Sequence, residues 1–187
     1  MRILIFLLLV RIASAQDILP GASNSGEYLP LLKDKNVALV VNPTSMVEYQ
    51  HVVDFLLENG VRISKIFGPE HGFRGVASAG EKVLDSKDEK TGIEVVSLYG
   101  SKKGPTQEDL IGIDVLIFDI QDVGVRFYTY ISTLHYVLES CAKYHVPVII
   151  FDRPNPNGHY IDGPVLQKGF QSFVGMHPVP VIHGMTI

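Results

Sequence analysis

The chain has 187 residues, 46% of them hydrophobic and 19% charged, with a formal net charge of −4. That length suits one ordinary domain with a real core, and the composition excludes a disordered chain. The acidic balance, with no run of five or six like charges, argues against a nucleic-acid partner, because binding the phosphate backbone needs a basic face.

The first residues, MRILIFLLLVRIASAQ, read as a secretory signal peptide over 1–15. Arg2 gives the positive start, Ile3 to Val10 an apolar core too short to span a bilayer, and Ala13-Ser14-Ala15 a small-residue cleavage site before Gln16. No cysteine follows that site, so no lipid anchor is expected. The protein is expected to be exported, periplasmic or secreted, without a stable membrane anchor once the leader is removed. Cys141 is the only cysteine, which excludes an internal disulfide, and its place in a helical pattern beside Ala142 reads as a buried thiol.

A lead-in follows over 16–35, with the polar stretch Gly21 to Gly26 read as loose. NVALVVNPT (36–44) is a continuous apolar run ending in a polar turn, the mark of a buried strand. SMVEYQHVVDFLLENG (45–60) reads as a helix, with Ser45 and Glu48 as a capping box and Asn59-Gly60 as the stop. A second strand covers 61–71, a long polar loop 72–92, and a third strand 93–100. Thr106 caps a short helix over 106–112, with Asp109 in its acidic first turn. A fourth strand (114–124), a helix (129–145) and a fifth strand (146–158) complete the series. In that last helix Ile131, Leu134, Val137, Leu138 and Cys141 form the apolar face. Apolar strands separated by helices predict an α/β fold, a Rossmann-like doubly wound, mostly parallel sheet of five or more strands.

Ligands of such sheets bind beyond the carboxyl ends of the strands. Chemistry-bearing residues gather there: Asn42 after the first strand, Glu70 and His71 after the second, Tyr99 after the third. Asp119, Gln121, Asp122, Arg126 and Tyr128 follow the fourth, and Asp152, Arg153, Asn155 and Asn157 the fifth. No G-x-G-x-x-G, Walker A or G-x-S-x-G sequence occurs, and no histidine pair has local metal-ligand spacing, so no cofactor and no metal are expected. Carboxylates, arginines, amides and tyrosines suit a polar ligand. Taken alone they allow a hydrolase or a binding protein.

NPTS, GPEHGFRG, SLYG, PTQEDL, DVLIFDIQDVGVRFYTYISTL, DRPNPNG, DGPVL, FVG and PVPVIHGMTI occur in this order. Together, from about Val37 to Ile187, they resemble the bacterial exo-β-N-acetylmuramidase family. The resemblance implies a peptidoglycan-recycling glycosidase that releases N-acetylmuramic acid from the non-reducing end of MurNAc-GlcNAc fragments. It also implies a Rossmann-like domain, here 36–187, followed by a smaller C-terminal domain. Family members are about twice as long, so the chain is expected to be truncated at its C-terminal end. The resemblance makes Glu70 of the PEHG motif the catalytic acid or base, with Phe67 and Phe73 nearby. Asp119 or Asp122 is then the second carboxylate or an orienting group. Arg126 or Arg153, with Arg74 as a third candidate, would clamp the lactyl carboxylate of the sugar. His71 would bond to substrate or to Glu70. Asn42, Tyr99, Tyr128, Asn155 and Asn157 would contact hydroxyl or acetamido groups, with Gln121 and Asp152 on the same rim. His177 and His183 fall in the last block. A non-catalytic muropeptide-binding protein and a metal-dependent hydrolase are the alternative readings.

Overall fold

The structure, a computed structural model, describes residues 18–74 and 85–187. The signal peptide read over 1–15 lies outside the described residues. A 3-10 turn at Gly21–Ser23 and helix α1 (Ser25–Leu32) replace the loose segment expected over Gly21 to Gly26. The polar composition of that stretch conceals its buried anchors. Ala22 is fully buried, the Tyr28 hydroxyl donates to its carbonyl at 2.7 Å, and the Tyr28 ring packs on Phe151. Gly21 N–H donates to the Asp152 carbonyl at 2.6 Å, and a Cβ at Gly21 would sit 2.9 Å from the Asp152 nitrogen, so only glycine permits this approach.

The strands and helices that follow are β1 (Asn36–Val41), β2 (Met46–Val47), β3 (Gln50–His51), α2 (Val52–Glu58) and β4 (Arg62–Gly68). Then come β5 (Ser86–Lys87), β6 (Glu94–Ser97), α3 (Gln107–Leu110), β7 (Val115–Asp119), α4 (Tyr130–Tyr144) and β8 (Val148–Ile150). The main sheet runs β5-β6-β4-β1-β7-β8. Only the pairing of β5 with β6 is antiparallel in this sheet. The fold is therefore α/β with a mostly parallel, doubly wound sheet. The crossovers run outward from β1 to β4 and β6 on one side and from β7 to β8 on the other, so the topological switch lies between β1 and β7.

The two faces of the sheet follow from the period of two along each strand. Val37, Leu39 and Val41 share one buried cluster with Tyr28 and Leu32 of α1 and Val53 and Leu56 of α2. Ala38 and Val40 join the other, with Leu110 of α3 and Leu134, Val137 and Cys141 of α4. Burial on both faces is why these strands read as unbroken apolar runs. Cys141 is 1% exposed, and burial pushes its thiol up to about 11, which keeps it protonated and inert. Leu138, expected on the apolar face of α4, is 40% exposed instead. The Thr106–Asp109 capping box forms, with Thr106 N–H donating to Asp109 Oδ2 at 2.8 Å and Asp109 N–H to the Thr106 hydroxyl at 3.3 Å.

The fourth and fifth strands, expected over 114–124 and 146–158, end at Asp119 and Ile150, and two further segments depart from the sequence reading. The segment 72–92, read as loop, contains the edge strand β5. The helix expected over 45–60 begins only at Val52, after the hairpin of β2 and β3. Its turn carries Glu48 at φ 52° and a Tyr49 that is 98% exposed. Ser45 does not cap a helix. Its hydroxyl accepts from Asn42 N–H at 3.0 Å and donates to the Asp119 carbonyl, locking the end of β1 to the end of β7. The cap of α2 is His51, whose Nδ1 accepts from Val53 N–H at 3.3 Å and whose Nε2 therefore donates to the Asn42 carbonyl at 3.0 Å.

Arg74, expected to hold substrate, belongs to the scaffold. Its guanidinium donates to both oxygens of Asp88 at 2.8 and 3.1 Å and to both of Asp54 at 3.2 and 3.3 Å. Lys90 adds a contact to Asp54 at 2.9 Å. The cluster ties the chain after β4 to α2 and to the loop after β5. Residue type alone could not separate a substrate clamp from this strut.

Ser45→Ala is expected to cost about 1–3 kcal/mol in urea unfolding, because it strips a buried link, whereas Glu48→Gln stays within about 0.5 kcal/mol. Equal losses would instead indicate a capping box. Arg74→Met is expected to cost on the order of 3 kcal/mol near neutral pH. The Arg74 bonds hold Asp88 below its ordinary 3.8; burial would raise Asp54, but bonds from Arg74 and Lys90 outweigh it and hold that carboxyl low too. Their contribution is complete above 3.8 and is lost as pH falls through the depressed values, so the deficit of the variant should shrink in acid. A deficit independent of pH would exclude the ion cluster as its cause.

Candidate active site at the carboxyl edge of the sheet

The crevice between β1 and β7 has a floor built from a buried ion pair. Asp119, the last residue of β7, is fully buried and receives Arg153 Nε at 2.6 Å and Nη2 at 3.0 Å. The same guanidinium donates to the Met46 carbonyl at 2.9 Å. Burial pushes the Asp119 carboxyl up, and the paired cation pulls the other way. With both oxygens engaged, Asp119 offers nothing to a substrate, and Arg153, 7% exposed, offers little. Their expected catalytic and sugar-binding roles therefore give way to a structural one: the alternation that ends β7 turns Asp119 inward, toward its cation.

The Glu70 turn follows β4, which lies beside β1 in the sheet. Gly72 N–H donates to the Pro69 carbonyl at 2.9 Å, and His71, third in the turn, lies at φ 70°, as in type II turns. A left-handed histidine is strained and is commonest at such functional corners. Glu70 and His71 are both half-buried. Among the described residues no hydrogen bond or ion pair holds the Glu70 carboxylate.

Asn42 is 2% exposed, and its side-chain oxygen accepts from Thr44 N–H at 2.9 Å and the Thr44 hydroxyl at 2.6 Å, an Asx turn at the end of β1. Tyr130, at the start of α4, brings these loops together. Burial pushes its phenol up, the Asn42 side chain opposes this, and Tyr128 and the Glu70 charge add to it. Tyr128 meets Tyr130 edge to face at 4.9 Å. Burial raises Tyr128 as well, with a further contribution from the Asp122 charge. Tyr130 thus lies within electrostatic reach of Asn42, Glu70 and Tyr128, and Tyr128 within reach of Asp122. The sequence reading missed Tyr130 by treating 129–145 as a core helix; its place at the helix start just beyond the fourth strand was the available signal.

Asp122 is 2% exposed, with Oδ2 accepting from Gly124 N–H at 2.8 Å. Burial pushes its carboxyl up, opposed by nearby backbone N–H groups and His183, while Asp152 reinforces the rise. Gly124, at φ 71°, has the Asn155 amide 2.2 Å from where a Cβ would sit, so no side chain fits there.

The remaining amides are engaged in holding loops. Gln121 Nε2 donates to the carbonyls of Asp122 and Pro154, Asn155 Nδ2 to that of Met185, and Asn157 Nδ2 to that of Val123. Asp152 accepts from the Thr186 hydroxyl at 2.7 Å. The sugar contacts expected of Gln121, Asp152, Asn155 and Asn157 are replaced by these loop bonds. Arg126 is half-buried and its Nη1 donates to the carbonyls of Pro164 and Val179 at 2.9 and 2.7 Å, with no acid paired to it among the described residues. Tyr99 lies half-buried on the far side, 5.9 Å from Lys103 Nζ, which itself sits 3.9 Å above the Phe173 ring. Among the described residues no three His, Cys, Asp or Glu side chains converge as a metal-ligand set.

Comparison with known proteins places the chain in a family. The family profile described as "Exo-beta-N-acetylmuramidase NamZ, N-terminal" matches residues 37–187. The chain is 48% identical over 164 residues to the peptidoglycan beta-N-acetylmuramidase NamZ of Bacillus subtilis (strain 168), covering 86% of this chain and 40% of that protein. Two crystal structures of DUF1343 family proteins from Bacteroides fragilis superpose with TM-scores of 0.80 and 0.81 at 44% and 38% identity. They cover 91% and 89% of this chain, and the chain spans 44% and 43% of theirs. The chain thus covers less than half the length of each of these relatives. A profile match across nearly all the strands that build the crevice, and close identity to a curated member, make this chain a member of the NamZ exo-β-N-acetylmuramidase family.

Proposed function

We propose that the chain carries the catalytic face of an exo-acting glycosidase that releases N-acetylmuramic acid from the non-reducing end of peptidoglycan fragments. The observation that carries this reading is Glu70: a half-buried carboxylate on a strained turn at the switch crevice, with no partner among the described residues and Tyr130 beside it. A carboxyl group left free on a rigid corner can approach a glycosidic oxygen and donate its proton. Asp122, whose carboxyl burial pushes up, is the second acid of the rim. It serves as the partner carboxylate or orients the acetamido group of the sugar. Arg126 keeps guanidinium nitrogens beyond its two carbonyl bonds and is the cation suited to the lactyl carboxylate.

The protein is also read as exported, on the strength of Arg2, the apolar Ile3 to Val10 and Ala13-Ser14-Ala15. N-terminal sequencing of the exported form is expected to begin at Gln16; a retained Met1 would contradict this.

Glu70→Gln is expected to reduce release of N-acetylmuramic acid from a chromogenic muramide by at least ~10²-fold while leaving thermal unfolding unchanged. In the same assay Arg126→Met is expected to raise KM more than it lowers kcat, because the clamp acts on the ground state and the transition state alike. Near-normal turnover by the Glu70 variant would sink the assignment. Tight sugar binding without any turnover in the wild-type chain would favour the binding-protein reading.

A further inference from the structure

The contact between Asp122 and His183 has no part in the roles assigned so far. Both residues are buried, each 2% exposed, and their side chains meet at 3.7 Å. Residues 181–183 run antiparallel to 124–126: Arg126 N–H donates to the Val181 carbonyl at 2.8 Å, His183 N–H donates to the Gly124 carbonyl at 3.0 Å, and Val125 bridges Ile182. Gly124 N–H donates in turn to Asp122 Oδ2. His183 is therefore strapped, through one glycine, to the turn that holds Asp122.

The imidazole is oriented as well. His183 Nδ1 accepts from Met185 N–H at 3.3 Å, which leaves Nε2 to carry the proton. That nitrogen stands 3.7 Å from Asp122 Oδ2, too far for a hydrogen bond. Nε2 and Asp122 Oδ1 are both buried and, among the described residues, unpartnered. Two orphaned polar atoms on facing groups cost about 1–3 kcal/mol each, so the arrangement is not explained by stability.

We propose that His183 is a positioning residue for Asp122: its Nε2–H closes onto Oδ2 when substrate engages the crevice, fixing the carboxylate with Oδ1 as the acceptor for a hydroxyl or N–H donor of the amino sugar. The inference rests on the glycosidase reading. His183 stands 3.7 Å from Asp122, and Asp152 and Tyr128 lie within electrostatic reach of it; His177, whose Nε2 lies 3.3 Å from His135 Nδ1, lies within reach of His183. Of these, His183 is the group whose charge or donor opposes the rise of the buried carboxyl, together with the backbone N–H groups of Gly124 and Val123.

The test compares the full chain with His183→Asn, which removes the donor, and His183→Gln, whose amide N–H reaches near the Nε2 position. His183→Asn is expected to lower kcat about 10-fold, the effect of one lost hydrogen bond, with KM little changed. It should also move the acid limb of the pH–rate profile upward by up to about one unit. His183→Gln should restore most of both. Carbon-13 NMR titration of the Asp122 carboxyl with N-acetylmuramic acid bound reads the same upward move without any turnover. If the wild-type chain cleaves no muramide, the glycosidase reading fails, while the NMR titration still decides the pair. Equal kinetics in the two variants, or an Asp122 titration that does not move in His183→Asn, would overturn the proposal.

Discussion

Asp119 and Arg153 meet at the bottom of the crevice as a fully hydrogen-bonded ion pair, 2.6 and 3.0 Å apart across their two contacts. At a topological switch the loops leaving adjacent strands diverge, and nothing in the ladder of the sheet holds them together beyond the last pair. Here side chains do so. Arg153 reaches from the loop after β8 to the end of β7 and to the hairpin strand β2, and Ser45 joins the end of β1 to the same Asp119. Removing one partner of such a pair leaves a buried charge without compensation, which is why its geometry holds. This floor holds the ends of β1, β7 and β8 and the β2 strand to one another.

On that floor, the amides and acids after β7 and β8 bond mostly to backbone carbonyls of neighbouring loops. Gln121, Asn155 and Asn157 stitch 121–124, 154–157 and 185 into one body, and Arg126 clasps the carbonyls of Pro164 and Val179. This makes the rim rigid at the cost of polar groups that could have touched a ligand. Against that background a free carboxylate stands out. Glu70 lacks a partner among the described residues, where the carboxylates of Asp119, Asp122 and Asp152 each accept at least one hydrogen bond. Preorganisation is what a catalytic acid needs from its surroundings, since a group already in place loses no entropy at the moment of reaction.

Local signals survived into the structure. The apolar runs became strands because a strand buried on both faces has no polar side to show, and the 129–145 period became α4. Thr106 and Asp109 close their box within four residues of chain, with Lys102 pairing the same Asp109 oxygen. Ser45 and Glu48 have the same spacing and failed. The Ser45 hydroxyl found a better acceptor in the Asp119 carbonyl, 74 residues away, and the hairpin of β2 and β3 took up the residues between. Tyr28 likewise turned a polar lead-in into a docked helix by finding Phe151.

The candidate site divides along the same line. The strand pattern and the order of motifs were enough to place Glu70, His71, Asn42, Asp122, Arg126 and Tyr128 on one rim of a parallel sheet, because direction and alternation are properties of the chain itself. The choice of partner among the like-charged and like-shaped residues of that rim came only with the fold. Arg74 went to Asp54 and Asp88, Arg153 to Asp119, and Asp122 to the Gly124 N–H, because pairing is set by distance and burial in space. An amino-acid sequence lists charges, and only packing brings opposite ones within 3 Å of each other.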